Sequence, residues 1–224
     1  MVWTLSNRLL FTAIFISGAS ALVYQLIWVR LLGLVFGVSS FAVATVVAVF
    51  LLGLGLGSYF FGRWSERARD PLRIYLYVEL GIAATSLIAY LVIETVPVYR
   101  YLYEYAYSNL GFYSLSVARL LLSTLVLLPP VFLIGGTMPL LAKYFLRDPD
   151  NLGSSFSRIY YLNTLGACAG ALLTGFVFVR YFGVIGTLMI AVGGNLLVAL
   201  IIALTKRGTG AVRPATGNRP PYSY

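Results

Sequence analysis

The stretch Ser40 to Gly62, SFAVATVVAVFLLGLGLGSYFFG, holds 23 residues without a charge, and its reading decides the fold. A hydrocarbon core about 30 Å thick takes about 20 helical residues to cross. Lipid offers backbone N–H and C=O groups no partner, so such a run must satisfy them internally, as a helix or in a closed barrel. The run is continuously apolar and lacks the in-and-out alternation of a barrel strand, which leaves the helix.

Five further runs have the same character: Leu9 to Val29, Ile74 to Ile93, Leu115 to Ile134, Ile159 to Val179 and Gly186 to Leu204. With their connections they use nearly all of the 224 residues, and no stretch is left for a separate soluble domain of ordinary size. Composition agrees, at 60% hydrophobic, 10% charged and a mean hydropathy of +0.89, far from the soluble range. The expected fold class is an all-α integral membrane protein with six transmembrane helices. Residues 1 to 205 form the membrane domain, and the Pro/Gly-rich basic tail from Lys206 to Tyr224 has too little apolar surface to fold alone. Arg8, an apolar run and Ala19-Ser20-Ala21 imitate a signal peptide, but the apolar run continues to Val29, which reads as a retained helix.

The net charge of +9 is distributed unevenly. With the N-terminus inside, Arg8, Arg63, Arg67, Arg69, Arg73, Lys143, Arg147, Arg158, Lys206, Arg207, Arg213 and Arg219 fall on the inner side. Only Arg30, Arg100 and Arg180 fall outside, with Arg119 within a span. Twelve against three predicts both termini in the cytoplasm, and the basic face then lies over anionic lipid headgroups rather than nucleic acid.

Several local features carry further expectations. The apolar character from Leu115 to Leu146 would reach about 48 Å as one straight helix. It is punctuated by Pro129, Pro130, Gly135, Gly136 and Pro139. A kinked fourth helix is expected near residue 129, followed by a short helix, Met138 to Leu146, capped by Thr137. The outer loop before it, Thr95 to Ser114, carries Tyr99, Tyr101, Tyr103, Tyr105, Tyr107 and Tyr113. This reads as an interfacial outer helix between the third and fourth spans, with tyrosines at headgroup level. Gly53 with Gly57, and Gly166 with Gly170, form G-x-x-x-G pairs that let helices approach closely. Twenty residues from Arg73 and twenty from Arg158 echo each other, as RIYLYVELG and RIYYLNTLG, which suggests an internal repeat.

Polar side chains inside hydrocarbon are costly, so each needs a partner or a purpose. Ser17, Ser20, Tyr24 and Trp28 follow at spacings of three, four and four and share one helical face, with Gln25 beside them. Asn195 sits at the centre of the sixth run. Glu79 and Asn163 lie one to two turns inside the third and fifth. Tyr24, Gln25, Glu79, Asn163 and Asn195 are therefore the candidate intramembrane polar site. Hydrogen bonding between helices is the preferred reading, and a substrate pathway is the other. Glu79 is the one acidic group within a span, and it is expected to pair with Arg73 rather than to be protonated or to line a wet cavity. Cys168 reads as a small packing residue. With no histidine, one cysteine and no carboxylate pair inside the spans, no catalytic, cofactor or metal residue is assigned.

Four motifs, SGASALVYQLIWVRLLGLVFG at Ser17 to Gly37, LLGLGLGSYFFGR ending at Arg63, LPPVFLIGGTMPLL at Leu128 to Leu141 and YYLNTLGACAGALLTGF at Tyr160 to Phe176, occur in an order that resembles the N-terminal membrane domain of bacterial membrane-bound spermidine-synthase-like proteins. The resemblance covers about residues 12 to 204 and implies a bacterial inner membrane. In that family a cytoplasmic aminopropyltransferase-like domain follows, taking decarboxylated S-adenosylmethionine and a diamine. Here 20 residues follow Leu204, without a glycine-rich cofactor loop or an acidic pair, and no catalytic residue carries over. The expected function is a non-catalytic membrane subunit or scaffold docking another protein subunit, a membrane complex or a second copy. The alternatives are a small-solute transporter and the membrane part of a split aminopropyltransferase.

Overall fold

The computed structural model describes residues 5–36, 40–95, 104–105, 108–109, 111–145 and 152–209. Long helices account for nearly all of them, and none of the described residues is in a strand. The helices are α1 (Leu5–Phe36), α2 (Ser40–Glu66), α3 (Pro71–Thr95), α4 (Phe112–Phe145), α5 (Leu152–Leu173) and α6 (Val179–Thr209), with a π-helical turn, Thr174–Phe178, joining the last two.

Five stretches are long and apolar enough to cross a membrane: Arg8–Gly33, Val43–Glu66, Pro71–Glu94, Ser116–Phe145 and Ser155–Lys206. The chain is a multi-pass membrane protein on that ground. Its outward faces agree, because Leu51, Leu125, Phe176 and Ile185 are each more than half exposed, and large apolar side chains at such density belong against acyl chains. The inward faces bury Trp28, Tyr24 and Tyr75 completely.

The last stretch, 52 residues long, reverses direction within itself. At Gly183 the backbone is at φ 66°, ψ −171°, a left-handed value that a residue without a Cβ adopts at no steric cost. Before that point the chain runs parallel to α1: the Arg158 guanidinium lies over the Phe11 ring, Gly166 meets Phe15, and Gly170 meets Ala19. Beyond it the direction is opposite, with Val184 near Leu31 and Gly194 against Ser20. The π turn closes with the Val179 N–H donating to the Thr174 carbonyl, and the extra residue it inserts changes the face that α5 offers beyond Gly170.

Packing follows the small residues. On α2, a Cβ at Gly53 would press into the Val131 side chain, and one at Gly57 would overlap the Phe132 carbonyl oxygen. The contact is reciprocal: Gly135 lies on the backbone of Leu54, and Gly136 faces the Phe61 ring. Gly135 and Gly136 are thus a packing surface rather than the helix break expected of them. α4 continues through Pro129, Pro130 and Pro139 to Phe145 as one helix of 34 residues. The short helix starting at Met138 does not form, and the Thr137 hydroxyl donates back to the Ile134 carbonyl at 2.8 Å instead of capping. Each proline leaves the carbonyl four residues earlier without its helical partner, but the close seat of α2 against α4 holds the helix together. Cys168, expected to pack, is exposed.

One end of the bundle collects the basic groups. There Asp70 caps α3, accepting the Arg73 N–H at 3.1 Å ahead of Pro71 in the first turn. Its other carboxylate oxygen takes the Lys206 ammonium from the end of α6. Burial pushes the Asp70 carboxyl up, but the Lys206 hydrogen bond and charge, with the Arg73 N–H and guanidinium, outweigh it and hold it below the ordinary value. Lys206 is therefore part of a helix that runs to Thr209, and the tail beyond it lies outside the described residues. Of the tyrosine-rich loop, Glu104, Tyr105, Ser108 and Asn109 are described between its ends, which are Thr95 closing α3 and Gly111 with the first residues of α4, Phe112 to Ser114. Ser108 donates to the Glu104 carbonyl and Asn109 to that of Tyr105, both at helical spacing. Residues 96–103, 106–107 and 110, the remainder of the expected interfacial helix, lie outside the described residues.

Candidate functional site

α1 places Ser17 and Tyr24 two turns apart on its buried face, as their spacing of seven requires. α6, antiparallel beside it, brings Asn195 between them, and α3 inserts Glu79 at the same level. The Ser17 hydroxyl donates to Glu79 Oε1 at 2.6 Å, Asn195 Nδ2 donates to Glu79 Oε2 at 2.5 Å, and the Tyr24 hydroxyl donates to Asn195 Oδ1 at 2.9 Å. Four side chains from three helices form one hydrogen-bonded chain. Glu79 and Tyr24 are wholly inaccessible, and Asn195 and Ser17 nearly so.

This arrangement replaces the expected Glu79–Arg73 pair. Arg73 is exposed at the end of α3 with its guanidinium 5.9 Å over the Tyr77 ring, while Glu79 lies a turn and a half deeper on a different face. The hydrogen-bond donors to the carboxyl are neutral. Removing them would leave a carboxyl buried in hydrocarbon without compensation, which makes the chain costly to break.

Aromatic rings wall the cluster. Tyr24 stacks on Trp28 with centroids 5.4 Å apart and planes 13° from parallel, and Trp28 in turn leans on Phe50 at 6.5 Å. Tyr75 and Ser86, one turn before and two turns after Glu79 on α3, are buried beside the chain, the Tyr75 hydroxyl next to Ser17 and Glu79 and the Ser86 hydroxyl next to Tyr24. The sequence reading passed over both. Their spacing of four and seven from Glu79 was the available signal, since it places all three on one face of α3. Gln25 is half-buried and takes no part in the chain. Asn163 is half-buried too and stands apart from it, with its carbonyl and Oδ1 against Gly18.

A cavity of about 260 Å³ adjoins the cluster, in the half of the bundle nearer the basic end. Phe50 and Leu54 of α2, Ile82 of α3 and Ile134 and Met138 of α4 supply apolar wall; Ser17, Ser58, Thr137, Asn163 and Asn195 supply the polar groups. Both donors to Glu79 thus have one side on the carboxyl and the other on open space. α5, which lines the cavity with Asn163 and Ala167, seats closely on α1 and only slightly on α4. A second, shallower depression at the opposite end is bounded by Leu31, Tyr90, Glu94 and Gly183. Among the described residues no three histidine, cysteine, aspartate or glutamate side chains group as a metal site. No protein-family model matches the chain, and no curated protein or solved structure matches it either.

Proposed function

We propose that the chain is a six-crossing domain of the bacterial inner membrane with both termini in the cytoplasm, and that it works as a non-catalytic membrane subunit or scaffold of the kind the spermidine-synthase-like resemblance implies, docking a partner protein at its basic face. The hydrogen-bonded chain Ser17–Glu79–Asn195–Tyr24 carries the reading. Polar groups that turn on one another across three helices hold a bundle in one arrangement; they are not poised to react. The reversal at Gly183 supports two crossings within Ser155–Lys206, since its ends lie at the basic end and its middle lies beside Leu31 and Glu94. The start of α1 and the end of α6 then share a face with exposed Arg63, Arg67, Arg69 and Lys143, a surface suited to anionic headgroups and an acidic partner.

Two measurements test this. In a Cys168→Ala background, a cysteine at Tyr181 reacts with an impermeant maleimide in intact cells, and one at Arg67 reacts only after permeabilisation. The reverse pattern sinks the orientation. In mild detergent a partner co-purifies at fixed stoichiometry and is lost from the Arg67→Glu, Arg69→Glu double variant. A chain that purifies alone, with the same hydrodynamic size for parent and variant, sinks the docking role. The cavity beside Asn195 favours a second reading, the binding or passage of a small solute.

A further inference from the structure

The geometry points to the cavity between α1, α2, α4 and α5 as a binding site for a small organic monocation, an ammonium head on a short apolar body. It requires neither docking of a partner nor passage of a solute. The Ser17 hydroxyl proton is committed to Glu79 Oε1, and the Thr137 hydroxyl proton to the Ile134 carbonyl at 2.8 Å. Both residues line the cavity, and their hydroxyls have lone pairs left to offer and no proton to give. Asn195 Oδ1 accepts from Tyr24 and keeps a second lone pair. Next to Glu79 the floor therefore offers acceptors, so the group seated there donates, while the Ser58 hydroxyl and the Asn163 amide, which also line the cavity, can donate to the rest of the ligand.

Charge sharpens the choice. Glu79 lies one hydrogen bond behind two of the lining groups, Ser17 and Asn195, and is fully buried. Ionised, Glu79 is a buried charge that needs a balancing one, and a cation in the adjoining cavity supplies it where a neutral donor does not. The other ionisable groups packed around it are the phenols of Tyr24 and Tyr75, and the basic residues with a described position stand at the ends of the bundle. One carboxyl balances one positive charge, so a second ammonium on the ligand would meet Leu54, Ile134 and Met138 without compensation. The volume equals roughly nine waters at about 30 Å³ each, which suits a body of a few methylenes. An apolar wall with a few convergent polar groups is the usual form of a small-molecule site.

The test is equilibrium binding of n-hexylammonium to the full chain in nanodiscs, with 1-hexanol, hexanoate and 1,6-diaminohexane as probes of the same length. Saturable, one-to-one binding of hexylammonium is expected, about tenfold or more tighter than any of the other three. Glu79→Gln weakens it about tenfold, and Thr137→Val, which keeps shape and leaves the Glu79 chain intact, about fivefold. If Glu79→Gln does not fold, Thr137→Val and the probe series still decide. Non-saturable uptake, equal affinity for hexanol or hexanoate, tighter binding of the diamine, or an unchanged Thr137→Val overturns the assignment.

Discussion

Asn195→Ala tests whether the buried chain holds the helices together. Asn195 is, with Glu79, one of the two residues of the four bonded to two others through different atoms, its oxygen accepting from Tyr24 at 2.9 Å and its nitrogen donating to Glu79 at 2.5 Å. Truncation removes both bonds, each worth on average about 0.6 kcal/mol between membrane helices and at most about 1.7. It also strands Glu79 Oε2 and the Tyr24 hydroxyl, at about 1–3 kcal/mol for each buried group left unpaired. The adjoining cavity of about 260 Å³ can admit water to Asn195's place, so the lower end of that range applies to both. The expected loss is about 2–4 kcal/mol, measured by reversible unfolding in mixed detergent micelles with tryptophan fluorescence as the signal. Thr124→Ala, whose hydroxyl bonds only the Leu120 carbonyl of its own helix, serves as the control and moves stability by less than about 0.5 kcal/mol. A double-mutant cycle with Glu79→Ala yields a coupling of about 1–2 kcal/mol. An Asn195→Ala loss no larger than the control's, or additive single effects, refutes the reasoning.

The close helix seats make a second prediction: Gly57→Leu and Gly170→Leu, whose Cβ positions overlap the backbone of Phe132 and Ala19, abolish folding or lower stability by more than about 3 kcal/mol in the same assay. Gly55→Ala, with open space around it, stabilises by up to about 1 kcal/mol. The pair at the basic end predicts a pH dependence. Asp70 has a folded pKa below its unfolded one, so its contribution is fully present above the unfolded value of about 4 and fades as pH falls through the lower folded value. Both partners are partly exposed, which keeps the contribution under about 1 kcal/mol and sensitive to salt. Unfolding midpoints between pH 7 and pH 2.5 check it: Asp70→Asn flattens that part of the profile, and an unchanged profile refutes the pair's role.

Fold class was legible because lipid removes choices. Twenty uncharged apolar residues can be little but a helix, and Ser40 to Gly62 announces one without help from the rest of the chain. The glycine pairs were legible for a related reason: at Gly57 and Gly170 only a missing Cβ permits the approach of a second backbone. Pro129, Pro130 and Pro139 suggested a separate short helix from Met138 that does not form, because their local cost is fixed by sequence while its remedy is not. Gly135 and Gly136, which follow the prolines and look like further breakers, are the residues that let α2 seat closely enough to steady α4. A residue that lowers intrinsic helix propensity raised packing, and in a membrane packing decides.

The partner of Glu79 was hidden for a different reason. From sequence the nearest cation, Arg73, sits six positions away, but a spacing of six turns a side chain by about 600°, about 120° short of two full turns and so to a different face of the helix. The observed partners are 62 and 116 residues away, and neither carries a charge. What the sequence did contain was depth. Ser17, Glu79 and Asn195 stand at comparable distances from the ends of their own spans, and in a bundle crossing one slab of hydrocarbon, polar residues at equal depth on inward faces have few other groups to meet. Matching depth across spans, ahead of matching charge, would have paired them. The same rule puts Asn163 and Thr137 near that level from α5 and α4, where they border open space instead of the carboxyl, and that is why a cavity with polar lining exists beside a cluster that is already satisfied.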